Sequence, residues 1–268
     1  MARPRMCFTL LYANTSFNLS RNFNLQAVGD FNWLLDNYEF ESIARSIDEL
    51  FIFNVDRVDK NWPKFSDTVR ELVKHCFMPV AVGGGISTFE NAEMLFENGA
   101  DKVVLNSAYF KNPDLVRSLV EHYGAQSIVA SIDFKRDDID ETSVYIDNGR
   151  ESVGLDLTGA ISLVAEIGAG EILLNSIDRD GTGMGFDLDA LRLAHESCAH
   201  PIIAAGGADT YDRLAEGLFS GFVTAVTTAH LFNFMCDGLK DARHQLINEG
   251  VDLTEWDFSD FNSEKNYS

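Results

Sequence analysis

A (β/α)8 TIM barrel built from two similar half-barrels is the fold class this sequence predicts, on three observations. The chain has 268 residues, a length at which such a barrel forms a single domain. Short apolar runs alternate with amphipathic stretches along the whole chain. And two unrelated segments recur at one spacing. Glu49-Leu-Phe-Ile-Phe-Asn-Val-Asp56-Arg57 returns as Glu171-Ile-Leu-Leu-Asn-Ser-Ile-Asp178-Arg179, and Pro79-Val-Ala-Val-Gly-Gly-Gly85 returns as Pro201-Ile-Ile-Ala-Ala-Gly-Gly207, both 122 residues later. A shared offset marks a duplicated unit of roughly half the chain.

The elements follow in order. Met6–Leu11, Glu49–Val55, Met78–Val82 and Lys102–Asn106 read as the strands of the first half. Ser127–Asp133, Gly170–Ile177, Pro201–Ala205 and Thr224–Thr228 are those of the second. Their continuous apolar character suits strands buried on both faces. Helical periodicity marks Phe65–His75, Thr88–Asn98, Pro113–His122, Gly159–Ile167 and Leu188–His195. Eight parallel strands of this kind close into a barrel whose active face lies at their C-terminal ends. An open doubly wound sheet is the alternative, and the even repeat disfavours it. The barrel is expected over 1–250, with halves of about 1–125 and 126–250. The segment 251–268, with Asp252, Glu255, Asp257, Asp260 and Glu264, reads as an acidic solvated tail.

Composition excludes several classes of function. A net charge of -21 repels a nucleic-acid backbone. An anionic substrate therefore needs donors placed locally. No apolar run reaches membrane-spanning length and no secretory leader is visible, so the expectation is a soluble cytoplasmic protein with no membrane partner. Cys7, Cys76, Cys198 and Cys236 show no Cys-x-x-Cys spacing, which indicates neither a zinc site nor a disulfide framework. No metal and no cofactor are expected.

The chemistry should sit at the strand ends. Gly84-Gly85 and Gly206-Gly207 each follow a buried strand and lead towards a helix, where backbone N–H groups can approach phosphate oxygens. One such pair would be only a tight turn; two at symmetric positions favour phosphate binding, and a substrate phosphorylated at both ends. Asn106-Ser107 could complete the first site and Thr227-Thr228-Ala229-His230 the second. Asp133, at the end of its strand, suits general acid–base work; a helix cap or an ion pair with Lys135 or Arg136 carries equal weight. Asn175, Asp178 and Asp180 crowd the end of the sixth strand. Asp178 could hold its loop through Arg179, which gives Asp180 more weight as a catalytic group. At the opposite end, Arg5, Glu49, Lys102 and Glu171 begin strands. They form either a stabilising charged ring or a salt-bridged plug across the barrel axis.

Several segments together resemble the HisF family, the cyclase subunit of imidazole glycerol phosphate synthase, over nearly the whole chain. They are Val28-Gly-Asp30, Asp48-Glu-Leu50, Val82-Gly-Gly-Gly-Ile86, Gly99-Ala-Asp-Lys-Val103, Ser131-Ile-Asp133, Gly168-Ala-Gly-Glu-Ile-Leu173, Ser176-Ile-Asp-Arg-Asp-Gly-Thr182 and Ala205-Gly-Gly-Ala208. The resemblance implies the duplicated barrel. It also implies ammonia delivered by a HisH-like glutaminase subunit docked at the N-terminal face, near Asp101. The ammonia would pass a gate matching Arg5, Glu49, Lys102 and Glu171, then react at the other face with a phosphorylated nucleotide. Family catalysis uses two aspartates. The fifth-strand one matches Asp133, whereas the first-strand one falls on leucine, Leu11 or Leu10 by the two possible registers. The family's loop lysine falls on Asn18 or Leu19, and its eighth-strand serine is replaced by His230. Leucine cannot move a proton, and losing one of two acid–base groups costs orders of magnitude in rate.

Leucines in that place resemble a paralogous HisF-like branch linked to bacterial surface-polysaccharide pathways, as do Phe77-Met-Pro79, Leu174-Asn-Ser176 and Gly185-Phe-Asp187. That branch implies ammonia transfer to an acetamido sugar, giving an acetamidino sugar. The authentic histidine-pathway cyclase, with Asp180 covering the lost aspartate, and a catalytically silent barrel that activates a glutaminase are the other two readings.

Overall fold

The structure, a computed structural model, describes residues 3–38, 43, 46–58, 60–137, 141–235 and 237–255. Eight parallel strands form the barrel: β1 (Arg5–Ala13), β4 (Glu49–Asn54), β5 (Val80–Gly83), β6 (Lys102–Leu105), β7 (Ile128–Arg136), β10 (Glu171–Ser176), β11 (Ile202–Ala205) and β12 (Ala225–Thr228). They pair in that order. β12 pairs with β1 and β7 with β10, so the sheet closes on itself. The seam between the sequence repeats falls at the 3-10 turn Ala125–Ser127. Every strand foreseen in the sequence is present.

Two hairpins are additional to them. β2 (Ser16–Arg21) and β3 (Asn24–Gly29) extend the chain after β1, while β8 (Thr142–Ile146) and β9 (Glu151–Ser152) follow β7. Their turns place Asn14, Thr15, Asn22, Phe23, Asp147 and Asn148 at positive φ. Non-glycine residues rarely adopt that region; of these turns only Asp147-Asn148-Gly149, between β8 and β9, carries the usual Asn-Gly signature of a hairpin. Because β8 pairs with it, β7 runs on to Arg136, three residues past Asp133.

The strand pleat sorts side chains into two cores. One inward residue from each barrel strand, among them Cys7, Phe51, Val104, Val129 and Leu173, fills an apolar layer on the axis. The alternate residues, such as Phe8, Leu50, Ile52 and Ile172, face the helices in the larger outer core. The helices start where side-chain caps sit. Asp156 accepts from Gly159 N and Asp187 from Ala190 N. Asn61 accepts from Lys64 N ahead of a helix carrying Pro63 in its first turn. Such caps set helix starts. They begin the helices Leu157–Ile167 and Trp62–Val73 two to three residues before the apolar periodicity does.

At the N-terminal face, Arg243 on the helix Gly238–Asn248 is 3% exposed. It grips Asp48 with two bonds of 2.9 Å and also donates to the carbonyl of Thr254. Val251 and Leu253 are buried behind it. Val251 and Leu253 therefore pack into the outer core, while Asp252 and Glu255 are exposed. The remainder of the acidic segment, 256–268, lies outside the described residues. Among the described residues, no helix is long and apolar enough to cross a membrane.

Candidate active site

A cavity of about 240 Å³ opens at the C-terminal ends of the strands, where barrels of this class place their chemistry. Its wall contains the aspartates Asp133 and Asp180, both glycine turns, Asn106, Ser107, Asn175 and His230. Below it the inward side chains stack in tiers along the axis. Val104 and Leu173 of the apolar layer form part of the cavity floor.

Asp133 lies deep in this cavity. Asn106 Nδ2 and Asn175 Nδ2 each donate to its carboxylate at 3.2 Å. Register explains one contact, since Asn175 is the strand neighbour of Asp133. Burial pushes the Asp133 carboxyl up to about 7, against the lowering effect of the Asn175 hydrogen bond. Asp180 adds a like charge that raises it further. Neither structural role anticipated for Asp133 is found. It lies inside a strand, Lys135 donates to the carbonyl of Gly149, and Arg136 pairs with Asp187. A carboxyl titrating near neutrality can both take and return a proton.

Asp180 is anchored from above. Its Oδ2 accepts from Ser20 Oγ and, at 2.9 Å, from the backbone N of Phe23. Asn22 donates to the carbonyls of Ile177 and Asp178, and Arg57 donates to the carbonyl of Phe23. The β2–β3 tip is thus fastened across the mouth, and Asp180 holds a roof strap as well as facing the cavity. Burial raises its pKa. Asp178 does not hold its loop through Arg179, contrary to one expectation. Its Oδ2 accepts from the backbone N of Arg136 at 2.8 Å, and Arg179 instead reaches the carbonyls of Met184 and Gly185.

The pleat decides between the two leucines. Leu11 lines the cavity, whereas Leu10 is fully buried in the outer core. The 122-residue offset carries Leu11 onto Asp133, so one half-barrel presents a carboxylate where the other presents a methyl-tipped chain. In the following hairpin, Leu19 is part of the cavity wall. The Asn18 amide is spent on the carbonyls of Ser16 and Leu11, at 2.8 and 3.3 Å.

Both glycine turns use left-handed backbone. A Cβ on Gly84, at φ +102°, would stand 2.1 Å from the carbonyl oxygen of Asn54, and one on Gly207, at φ +111°, 2.2 Å from that of Gly185. Gly84→Ala is expected to destabilise the chain by about 1–3 kcal/mol, the usual cost of a forced backbone outlier, measured as a lower urea midpoint. An unchanged midpoint would contradict this packing. Ser107 donates to Asn106 Oδ1 and accepts from Asp147 N at 3.4 Å. The side chains of Asn106 and Asn175 serve Asp133, so what the turns present to an anion is mainly backbone. His230 Nδ1 accepts from Asn233 N at 3.2 Å, which makes Nε2 the donor of the neutral ring.

Lys60 is a basic group of the cavity that no sequence motif marks. Its stem lies against Gly85, its Nζ donates to the carbonyl of Asn54 at 2.9 Å, and it forms part of the cavity wall. Burial lowers its pKa. Only its loop brings it in. Among the described residues no cluster of His, Cys, Asp and Glu could hold a metal ion.

At the other end, Arg5, Glu49, Lys102 and Glu171 close a ring of alternating charge. Arg5 bonds Glu49 at 2.6 Å and also Glu171, while Lys102 lies 2.8 Å from Glu49 and 2.9 Å from Glu171. The four charges at the strand starts are therefore joined to one another by ion pairs, as either a charged ring or a plug requires. Burial raises the pKa of Glu49 despite Lys102 and Arg5. Burial acts upward on Glu171 as well, but the Arg5 hydrogen bond prevails and its pKa falls. A groove of about 540 Å³ outside the ring is lined by Arg5, Glu171, Phe77, Met78 and Pro79, and Phe77 is 77% exposed. Asp101 is exposed at this end, its Oδ2 accepting from Val80 N at 2.8 Å.

The fold and this site define a duplicated (β/α)8 barrel with a carboxylate-lined cavity at one end and a salt-bridged ring at the other. The histidine biosynthesis protein family model matches residues 28–235. A protein of Parasynechococcus marenigrum (strain WH8102), provisionally named imidazole glycerol phosphate synthase subunit hisF2, is 45% identical over 96% of this chain and 95% of its own. Imidazole glycerol phosphate synthase subunit HisF of Pyrobaculum aerophilum is 38% identical over 85% of this chain and 88% of its own. The chain belongs to the HisF family of barrel enzymes.

Proposed function

We propose that this chain is the synthase subunit of a glutamine-dependent amidotransferase, a lyase-type ammonia user whose acceptor is a sugar rather than the histidine-pathway nucleotide. One observation carries the reading. The charged ring is complete, while Leu11 faces the cavity where a second carboxylate would be needed. A HisH-like glutaminase docks on the groove beside Phe77 and Asp101 and releases ammonia at the ring. Neutral ammonia crosses the apolar layer far more readily than ammonium, whose desolvation is costly. It emerges at the floor of the cavity below Asp133. That carboxyl, held by Asn106 and Asn175 and titrating near 7, relays two protons in turn from the attacking nitrogen to the amide oxygen, so that the C–N bond forms, the C–O bond breaks and the oxygen leaves as water. Amidine formation on an acetamido sugar, in surface-polysaccharide synthesis in the cytoplasm, is the reaction this arrangement suits.

The histidine-pathway cyclase is the second reading, favoured by the Pyrobaculum relative's name and by Asp180 in the same cavity. A histidine auxotroph lacking the cyclase separates the two. Neither this chain nor its Leu11→Asp variant is expected to restore growth, and rescue by the unaltered chain would refute the sugar acceptor. Glutamine hydrolysis by a HisH-type glutaminase should rise on adding the chain; no rise would remove the partner. A rise with no turnover of any acetamido sugar would leave a silent activating barrel.

A further inference from the structure

The repeat offset lays one glycine turn on the other, and their charged surroundings do not match. Gly84-Gly85 corresponds to Gly206-Gly207, Lys60 to Thr182, and Ser87 to Asp209. The first turn therefore has a cation where the second has a hydroxyl. The second has a carboxylate where the first has a hydroxyl.

Packing makes this difference chemical. A Cβ on Gly85 would lie 2.3 Å from Cδ and Cε of Lys60 and 3.2 Å from its Nζ, so the ammonium rests on the turn itself. Nζ spends a bond on the carbonyl of Asn54, and an ammonium has three to give. Arg57 also lines the cavity, its guanidinium donating to the carbonyl of Phe23. Asp56 and Asp147 act on Lys60 as counter-charges, yet among the described residues its Nζ bonds the Asn54 carbonyl rather than either carboxylate.

The second turn differs in the charge it presents to the cavity. Arg179, the counterpart of Arg57, is turned to the carbonyls of Met184 and Gly185 and takes no part in the cavity wall. The Asp209 carboxylate does line the cavity, close against Gly183. Arg179 stands beside Gly207 with its guanidinium on the Met184 and Gly185 carbonyls, which leaves His230, among the described residues, as the basic side chain of the cavity wall on this side, donating through Nε2. A phosphate dianion set here would face an uncompensated carboxylate, which like charge disfavours strongly at low dielectric.

We infer that the two turns take different groups: a phosphate-type anion at Gly84-Gly85 against Lys60, and an uncharged hydroxyl- or amide-bearing end at Gly206-Gly207 between Asp209 and His230. The acceptor is then a molecule with one anionic end and one neutral polar end, not one phosphorylated at both. This rests on the cavity being the acceptor site of the proposed synthase, but not on ammonia or a glutaminase.

Binding of inorganic phosphate to the full chain, followed by 31P NMR and calorimetry, tests it. One phosphate per chain is expected. Lys60→Met should weaken it at least about tenfold, as loss of a charge-assisted hydrogen bond does, and Lys60→Arg should largely preserve it. Asp209→Ser should admit a second phosphate. Two phosphates on the unaltered chain, one phosphate insensitive to Lys60→Met, or none at all would each overturn the inference. Thermal melts of the variants exclude unfolding as the cause. Because no ammonia enters the experiment, its failure leaves the glutaminase reading standing, and failed glutaminase stimulation leaves this one.

Discussion

Asp133→Asn is expected to abolish ammonia-dependent turnover while making the chain more stable at alkaline pH. Burial raises the group's pKa in the folded chain from the ordinary aspartate value of 3.8 to about 7. Below about pH 4 both folded and unfolded chains hold the proton, and the group costs nothing. As pH rises, the unfolded chain releases its proton first, so stability contributed by the protonated site is lost progressively until pH passes 7. Above that the folded chain carries a charged carboxylate in a confined cavity. Asparagine keeps the shape without the charge. Allowing for water that reaches the cavity, the variant should gain about 2–4 kcal/mol at pH 8 relative to pH 4, since each tenfold change in proton affinity is worth about 1.4 kcal/mol. Urea unfolding of both chains at the two pH values measures this. An equal difference at both would mean that Asp133 is ionised normally. The loss of turnover should be about 100-fold to 10,000-fold, the range for a removed acid–base group, and turnover in the unaltered chain should change with an inflection near pH 7.

Arg5→Ala should produce the largest loss of stability. Arg5 bridges Glu49 and Glu171, and Glu49 is 1% exposed. Without the guanidinium, two carboxylates share Lys102 alone inside the barrel. Removing one partner of a buried ion pair typically costs about 3–5 kcal/mol, because a charge is left buried and unpaired. Removing Glu49 as well should restore part of it. The pair belongs in a double-mutant cycle read by denaturant unfolding. Exposed ion pairs weaken in salt, whereas a largely buried ring is screened less. The cost should therefore survive about 0.5 M salt; loss of less than about 1 kcal/mol would place the ring in the class of surface pairs.

The ring and Asp133 are both legible in the sequence, for a common reason. Each lies on a barrel strand, and the 122-residue repeat locates strand starts and ends. Roles are less legible than positions. Asn106 reads as a phosphate ligand along the chain and Asn175 as one polar group of a crowded strand end, but the closed sheet turns both amides onto Asp133. Asp178 reads as a partner of its neighbour Arg179, yet it caps a backbone N–H of the adjacent strand. Lys60 and Asp209 give no signal. They sit in loops without periodicity, and only chain closure brings them to one cavity.

The sequence by itself determined the barrel, its duplication, its family and the strand ends at which chemistry could occur. These depend on apolar periodicity and local spacing, which are properties of neighbouring residues along the chain. Tertiary structure alone decided that Leu11 rather than Leu10 faces the cavity, that Asp180 straps down a hairpin, and that Lys60 lies on one glycine turn while Asp209 enters the cavity beside the other. Those outcomes depend on which way a pleated strand turns when the sheet closes, and on groups far apart in sequence meeting across the barrel mouth.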